Sequence, residues 1–264
     1  MGKLIAGGDS FIYGSELSDC VDENGSEHIS KLTFPALIAK EQGLEYVCTA
    51  MPGYSNTAIR RNVMNACEIY RSDIDLVIVQ WTFSSRFEFR FDNSYADWKQ
   101  LGSWLTIDDP KEHIDKTFLN ANDIVRDKHI KFLEYQKKLG ISDFAKIFYK
   151  HIKLNYWESY TSLSELVMLQ QYLTLKQIPY LFTVADSDFY NMIHKTYDFE
   201  DQSIKTLKNQ IDNKYIMYYP SNLGFLQWAM ENKFPFGTTH PLDEAHIEAA
   251  YIVYEYLRYI GRLP

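Results

Sequence analysis

The sequence predicts an α/β protein built on a parallel sheet. Short, continuously apolar runs at residues 3–7, 45–49 and 76–81 are typical of strands that are buried on both faces. Segments with helical spacing of apolar residues separate these runs, so the chain alternates strand and helix over its first third. This order predicts parallel strand pairing through right-handed crossovers.

The two helices between these strands have recognisable starts. A helix over 34–42 has Pro35 in its first turn and Gly43 just after its end, which is the usual arrangement of proline and glycine. Ser55 is a candidate N-cap for the next helix. The apolar residues of that helix recur with a period of 3.6 and form one face: Ile59, Val63, Ala66, Cys67 and Tyr70.

The remaining core elements follow after a long interruption. A helix is predicted over 158–176, a fourth strand over 179–185, a polar helix over 199–213 and a fifth strand over 215–218. A last helix follows His240, with Asp243 and Glu244 suited to its positive N-terminus. The predicted sheet is therefore parallel and five-stranded.

Residues 85–155 are predicted to be a mainly helical insertion between the third and fourth core strands. It opens with Arg86-Phe87-Glu88-Phe89-Arg90-Phe91-Asp92, where charged and aromatic residues alternate as in an edge strand. A charged helical pattern then runs from Glu112 to Leu139. No linker composition divides the chain, so we expect one domain over 1–264 that carries this insertion.

Composition narrows the class of protein. Hydrophobic residues make up 46% of the 264 residues, enough for a large core, and the net charge of −8 argues against a nucleic acid as the main partner. Cys20, Cys48 and Cys67 are scattered and suit reduced thiols rather than disulfides or a zinc site. With no signal-peptide pattern and no membrane-spanning run, a cytoplasmic protein without membrane partners is expected. No cofactor or metal motif is present in the sequence.

Three short motifs lie where strands end or helices begin. Gly7-Gly8-Asp9-Ser10 follows the first strand, at the sheet edge where open α/β folds bind ligands. Gly53-Tyr54-Ser55-Asn56 opens the second helix, and His240-Pro241 opens the last one. Serine and histidine at these places suit nucleophilic catalysis, because a serine hydroxyl needs a neighbouring base to take its proton.

In these motifs the sequence resembles the SGNH (GDSL-type) hydrolases, a superfamily of serine esterases. Gly8-Asp9-Ser10 is similar to their first block, Gly53 to Asn56 to their glycine block, and His240 to His246 to their histidine block. The segment from Trp81 to Phe89 resembles the divergent third block of phage-encoded members. The resemblance covers roughly 1–90 and 178–264, and it implies a flavodoxin-like three-layer α/β/α sandwich.

The resemblance also implies roles for individual residues. Ser10 would be the nucleophile and His240 the base, and the backbone N–H groups of Ser10 and Gly53 would hold the oxyanion with one amide side chain. The third block lacks the family's asparagine, so the third donor is expected to be Asn56 or the hydroxyl of Thr82. Arg86 is a candidate for binding substrate or for positioning the third block. Asp9, next to Ser10, is a further candidate for the oxyanion-binding or substrate-binding residues.

A second departure concerns the acid that orients the histidine. The family places it three residues before the histidine, where this chain has Gly237. Either a Ser-His dyad works with a backbone carbonyl orienting the imidazole, or a distant carboxylate takes the acid's place. Asp186, Asp188 and Asp243 are the candidates for that substitution.

We therefore expect hydrolysis of a carboxylic ester through an acyl-enzyme on Ser10, without a cofactor. The expected substrate is an O-acylated sugar or another small ester, and the insertion would set specificity. Two alternatives stay open: an acyltransferase that uses the same serine, and a degenerate member that binds a ligand or partner without catalysis. The sequence does not predict an oligomeric state.

Overall fold

The predicted parallel sheet is present in a computed structural model, which describes residues 2–22, 26–90, 98–117 and 123–263. The first part of the chain consists of β1 (Lys3–Gly7), α1 (Ser10–Tyr13), α2 (Phe34–Glu41), β2 (Glu45–Cys48), α3 (Asn56–Tyr70) and β3 (Ile74–Trp81). The middle part contains β4 (Phe87–Arg90), β5 (Trp98–Leu101), α4 (Pro110–Thr117), α5 (Asp123–Lys138) and α6 (Ile141–His151). The last part contains α7 (Asn155–Leu175), β6 (Tyr180–Val184), α8 (Asp188–His194), α9 (Gln202–Asn209), α10 (Phe225–Glu231) and α11 (Asp243–Tyr259).

Four strands form the main sheet, in the order β2-β1-β3-β6, and every neighbouring pair is parallel. The predicted fifth strand over 215–218 is not a strand. The chain makes a single-turn helix at Asn213–Tyr215 and then one isolated parallel bridge between Ile216 and Phe182 of β6. One bridge leaves the segment beside the sheet edge without a ladder of hydrogen bonds, so the parallel class is confirmed and the strand count is corrected to four.

Helices cover both faces of this sheet. Ile5, Val77 and Phe182 point into a buried cluster on the side of α3 and α7. Their neighbours in sequence point into a second cluster on the side of α2 and α11. β1, β3 and β6 are therefore apolar at most successive positions because both of their faces are buried, whereas β2 lies at the sheet edge and is only partly buried. The result is the three-layer α/β/α arrangement that the resemblance implied.

The segment over 85–155, called the 85–155 segment below, has its own small core. β4 and β5 pair antiparallel, and α4, α5 and α6 pack with them around buried apolar side chains. The predicted edge strand is confirmed over β4, and Phe91 and Asp92 lie outside the described residues. The single helical pattern from Glu112 to Leu139 corresponds to α4 and α5, with residues 118–122 outside the described part.

Within the described ranges, none of the helices combines the length and the apolar character needed to cross a bilayer. The expected cytoplasmic location stays a prediction.

The last helix is joined to α2 by a buried histidine. His246 is 1% exposed, its ring stacks on Phe34, and its Nδ1 accepts a hydrogen bond from the backbone N–H of Phe34 at 3.3 Å. Burial lowers the pKa of His246 to about 3. The imidazole is therefore neutral in the folded protein over the whole physiological range, which suits its role as an acceptor.

We expect stability to fall as the pH drops below the ordinary histidine pKa. The folded-state pKa of His246 is lowered, so its contribution is complete above about pH 6.5 and is lost as the unfolded state takes up a proton. Between pH 7 and pH 5 the loss is about 2 kcal/mol. Urea unfolding of the wild type and His246→Gln at both pH values measures it, with His28→Gln controlling for loss of an exposed imidazole. An equal pH dependence in wild type and His246→Gln would contradict this account.

Candidate active site at the carboxyl edge of the sheet

Ser10 stands where β1 ends and the short helix α1 begins. Asp9 caps that helix, because its Oδ1 accepts a hydrogen bond from the backbone N–H of Phe11 at 3.1 Å. The helix ends after one turn at Gly14, whose φ of 83° is the left-handed conformation that glycine adopts without strain. Ser10 is 8% exposed, so it is largely buried at the carboxyl edge of the sheet.

His240 reaches the same edge and bonds to a carboxylate that sequence reasoning missed. Its Nδ1 lies 2.7 Å from Oε2 of Glu16, and the ring packs edge-on against Phe11 at 5.3 Å between centroids. Glu16 also accepts the backbone N–H groups of Thr238 at 2.9 Å and of Thr239 at 3.0 Å. The backbone N–H of His240 itself donates to Oε2 at 3.0 Å. One carboxylate therefore holds both the imidazole and the loop that carries it.

Glu16 is ionised at ordinary pH. Burial alone would raise its pKa, but the bond with His240 and the backbone N–H groups of Thr239 and Thr238 lower it to about 2. A carboxylate only accepts hydrogen bonds, so Nδ1 of His240 carries a proton and Nε2 is the basic nitrogen. This is the tautomer that a histidine needs to act as a base toward a serine.

Two of the three carboxylates proposed from the sequence, Asp186 and Asp243, have other partners. Asp186 accepts the backbone N–H of Asp188 at 2.7 Å and the amide of Gln227 at 2.7 Å. Asp243 accepts the backbone N–H and the hydroxyl of Ser18. No bond from His240 to any of them is present among the described residues, so the acid at His240 is Glu16. The only signal for Glu16 in the sequence is a carboxylate six residues after Ser10.

Asp9 binds the third block instead of facing the solvent. Its carboxylate is fully buried, and Oδ2 accepts the hydroxyl of Thr82 at 2.5 Å and Nη1 of Arg86 at 2.7 Å. Nη1 of Arg86 is also 2.8 Å from Oγ1 of Thr82 and donates to the carbonyl of Tyr54 at 3.2 Å. Asp9, Thr82 and Arg86 are therefore brought together, and the first two point at each other.

Asn56 is likewise engaged within the protein. Its Oδ1 accepts the backbone N–H of Thr82 at 2.9 Å, and its Nδ2 donates to the carbonyl of Thr82 at 3.3 Å and to Ser162 at 3.2 Å. Both amide hydrogens are used, and the hydroxyl hydrogen of Thr82 goes to Asp9. In this arrangement neither of the two side chains expected as third donor has a hydrogen to offer an oxyanion. Their contacts instead fix the end of β3.

Gly53 lies in the turn between β2 and α3, and β2 is the neighbour of β1 in the sheet. Its φ of 82° requires glycine, and a Cβ placed there would lie 3.4 Å from the ring of Trp104. The backbone N–H of Ser55 donates to Gln100 of β5 at 3.0 Å. Gln100 in turn donates to Glu88. The 85–155 segment therefore forms a wall of the site and holds the Gly53 turn.

Arg86 is the polar group of this wall that still has donors to offer. Its guanidinium lies 4.8 Å from the ring centre of Phe83 and 5.4 Å from that of Trp104, which keeps its plane fixed. Nη1 makes all the contacts given above. Within the described part of the chain, Nη2 and Nε of Arg86 have no partner. A guanidinium held in this way keeps the donors of its second edge available for a further acceptor.

Among the described residues, no group of three or more His, Cys, Asp or Glu side chains is arranged to hold a metal ion. The histidine of the site is already committed to Glu16.

Solved structures with a similar fold carry esterase names. The chain is similar to an acetyl xylan esterase from Butyrivibrio proteoclasticus, with a TM-score of 0.50 and 13% identity over 99% of this chain and 65% of that one. The chain thus spans about two thirds of that esterase's length. The esterase EstA from Pseudoalteromonas sp. matches with a TM-score of 0.44 and 9% identity over 98% of both chains. A carbohydrate esterase family 2 enzyme from Corynascus thermopiles (Myceliophthora fergusii) gives 0.45 and 10% over 98% of this chain and 67% of that one.

No protein-family model matches the sequence, and comparison with curated proteins finds no match. The likeness to the acetyl xylan esterase, together with the parallel sheet between two helical layers, shows that this chain shares the α/β/α fold of that esterase. The likeness of the third block to phage-encoded members stays a prediction.

We expect Glu16 to make the protein sensitive to acid. Its folded-state pKa is lowered from 4.5 to about 2, so its stabilising contribution is present above about pH 4.5 and is lost between that pH and 2. The difference in unfolding free energy between wild type and Glu16→Gln should shrink from pH 6 to pH 3. Urea unfolding at the two pH values measures this, and Glu255→Gln controls for removal of an exposed carboxylate. A difference that is the same at both pH values would count against the bond to His240.

Proposed function

We propose that this chain is a serine esterase that uses Ser10, His240 and Glu16 as a catalytic triad. The observation that carries the proposal is the bond between His240 and Glu16, which joins residues 224 positions apart in sequence, with the imidazole packed against Phe11, the residue after Ser10. A histidine in the basic tautomer beside a serine at the edge of an α/β sheet is the arrangement that nucleophilic acyl transfer needs. The missing family acid is thereby replaced by one from the serine's own loop.

The reaction proceeds in two halves. Oγ of Ser10 attacks the ester carbonyl while Nε2 of His240 takes its proton, and the imidazolium then gives that proton to the departing alcohol. Water attacks the resulting acyl-Ser10 with His240 again as base, which releases the carboxylic acid and restores the serine. Glu16 stabilises the imidazolium in each half through its ionised carboxylate.

The negative oxygen of each tetrahedral intermediate needs donors that are already in place. We assign this role to the backbone N–H groups of Ser10 and Gly53, and to the outer edge of the Arg86 guanidinium. Arg86 is favoured over Asn56 and Thr82 because their hydrogens are used inside the protein. Its positive charge would also favour the oxyanion over the neutral carbonyl, which is the condition for catalysis rather than mere binding.

The substrate class follows from the same site. A carboxylic ester of a small alcohol or an O-acylated sugar would place its carbonyl between Ser10 and Gly53. Because the acetyl xylan esterase of similar fold is named for an acetylated sugar polymer, acetylated sugars are the first esters to test. Transfer of the acyl group to an alcohol instead of water would appear as dependence of the products on an added acceptor.

A fluorophosphonate probe read by intact mass tests for the activated serine. We expect one adduct on the wild type, none on Ser10→Ala and slower labelling of His240→Ala. Ser15→Ala, which alters the hydroxyl of a neighbouring residue in the same turn, should label like the wild type. If the wild type stays unlabelled while a control esterase reacts, the chain has no activated serine and the hydrolase proposal fails.

Glu16→Gln keeps the shape of the side chain and removes its charge. We expect kcat to fall by a factor of up to about 10⁴, because the amide no longer stabilises the imidazolium and can hold the wrong tautomer. Asp243→Asn removes a carboxylate that bonds to Ser18 and should retain the wild-type rate. Hydrolysis of p-nitrophenyl acetate measures both. Similar rates for Glu16→Gln and the wild type would show that Ser10 and His240 act as a dyad without Glu16.

Arg86→Lys tests the third donor. Lysine keeps a positive charge for Asp9 but has no second edge to offer, so we expect kcat to fall by about 10²-fold. Arg61→Lys, a matched change at an arginine paired with Glu88, should retain the wild-type kcat. Thermal unfolding of both variants separates a catalytic loss from a folding loss. Unchanged kcat in a folded Arg86→Lys variant would remove Arg86 from the oxyanion site.

A further inference from the structure

A cleft opens at the same edge of the sheet as Ser10, beyond the ends of β3 and β6. It has a volume of about 160 Å³, and its walls include Phe83, Ser84 and Lys153 on one side and Asp186 and Asp188 on the other. The motifs that define the triad contribute none of these residues. The cleft is therefore a separate feature that the proposed reaction has not yet used.

Phe83 forms a wall between this cleft and the catalytic residues. Its ring is 6.4 Å from that of Phe11, the residue after Ser10, and Arg86 lies against it as well. β3 lies between β1 and β6, and neighbouring strands are about 4.8 Å apart, so β6 runs about 10 Å to the side of β1. One substrate of modest size can therefore reach Ser10 and the cleft together.

The cleft contains hydrogen-bonding groups of both kinds. Glu158 lines it, with Oε1 2.9 Å from Nζ of Lys153, and Oε1 is buried yet receives no directed hydrogen bond. Both oxygens of Asp186 already accept bonds, from Asp188 and Gln227. Asp188 lines the cleft at the start of α8, is exposed, and its carboxylate has no partner among the described residues. The lining thus combines acceptors on Glu158 and Asp188 with a donor on Lys153.

This lining excludes several kinds of ligand. A phosphate or carboxylate would meet the three carboxylates of Glu158, Asp186 and Asp188, which outnumber the one ammonium group of Lys153. An alkyl chain would leave these polar groups without water or partners. Hydroxyl groups both donate and accept hydrogen bonds, so adjacent hydroxyls match carboxylate and ammonium neighbours at once.

We propose that this cleft binds the alcohol part of the substrate, a sugar residue whose hydroxyl groups bond to Asp188, Glu158 and Lys153. The ring of Phe83 would contact the C–H face of the sugar, as aromatic side chains do with apolar surfaces. The acyl group would then lie over Ser10. This inference rests on the proposed esterase function and specifies which part of the ester gives it selectivity.

Two esters separate this subsite from the chemistry. An acetylated methyl glycoside carries a sugar alcohol, whereas p-nitrophenyl acetate carries none. In Asp188→Asn and Glu158→Gln we expect kcat/KM for the glycoside to fall by about tenfold, the loss of one hydrogen bond, through KM. The p-nitrophenyl ester should react as in the wild type. Glu248→Gln, an exposed carboxylate on α11, controls for the change in charge.

Equal losses on both esters, or no loss on either, would overturn the subsite while leaving the esterase proposal intact. Binding is measured separately by saturation-transfer NMR of the unacylated methyl glycoside on Ser10→Ala, which has no nucleophile. We expect a signal on Ser10→Ala that weakens when Asp188→Asn is added. If the wild type hydrolyses neither ester, the esterase proposal fails, and this binding measurement still decides on the subsite: no signal overturns it.

Discussion

The site depends on the hydrogen bonds made by the buried carboxylate of Asp9. It accepts the N–H of Phe11, the hydroxyl of Thr82 and the guanidinium of Arg86, so it joins β1, β3 and the 85–155 segment. A buried charge is tolerated only when it is paired and hydrogen-bonded, and removing one partner typically costs about 3–5 kcal/mol. The same bonds that place the helix of Ser10 therefore also contribute to the stability of the fold around it.

This use of Asp9 explains why the third block can lack an asparagine. Thr82 gives its hydroxyl hydrogen to Asp9, and Asn56 gives its amide to the backbone of Thr82 and to Ser162. These bonds fix the end of β3 where an amide donor is otherwise expected. Arg86 has enough donors to serve two sides, because it pairs with Asp9 through Nη1 while Nη2 and Nε have no partner among the described residues. Phe83 and Trp104 hold its plane, which makes such a double role sterically feasible.

What the sequence predicted well depends on local physics. Adjacent residues determine the apolar runs of the four strands, the Ser55 cap on Ala58 and the turn at Gly53. The fifth strand failed because an apolar run does not reveal whether a partner strand is in register, and only Ile216 forms a bridge. The carboxylate that bonds to His240 and the side chain with unused donors were not predicted, because both depend on contacts between residues that are far apart in sequence. Glu16 meets His240 only after the whole chain has folded.

The position of Glu16 changes how the site is preorganised. An acid near the histidine in sequence moves with it, whereas Glu16 lies in the turn that carries Ser10 and has a φ of 69°, a conformation that costs free energy outside glycine. That strain persists because Glu16 holds the N–H groups of Thr238, Thr239 and His240 as well as the imidazole. The loop that carries His240 is thus held on the loop that follows Ser10 by one carboxylate. The position of His240 relative to Ser10 is then set by the short stretch of chain from Ser10 to Glu16, once folding has brought His240 to Glu16.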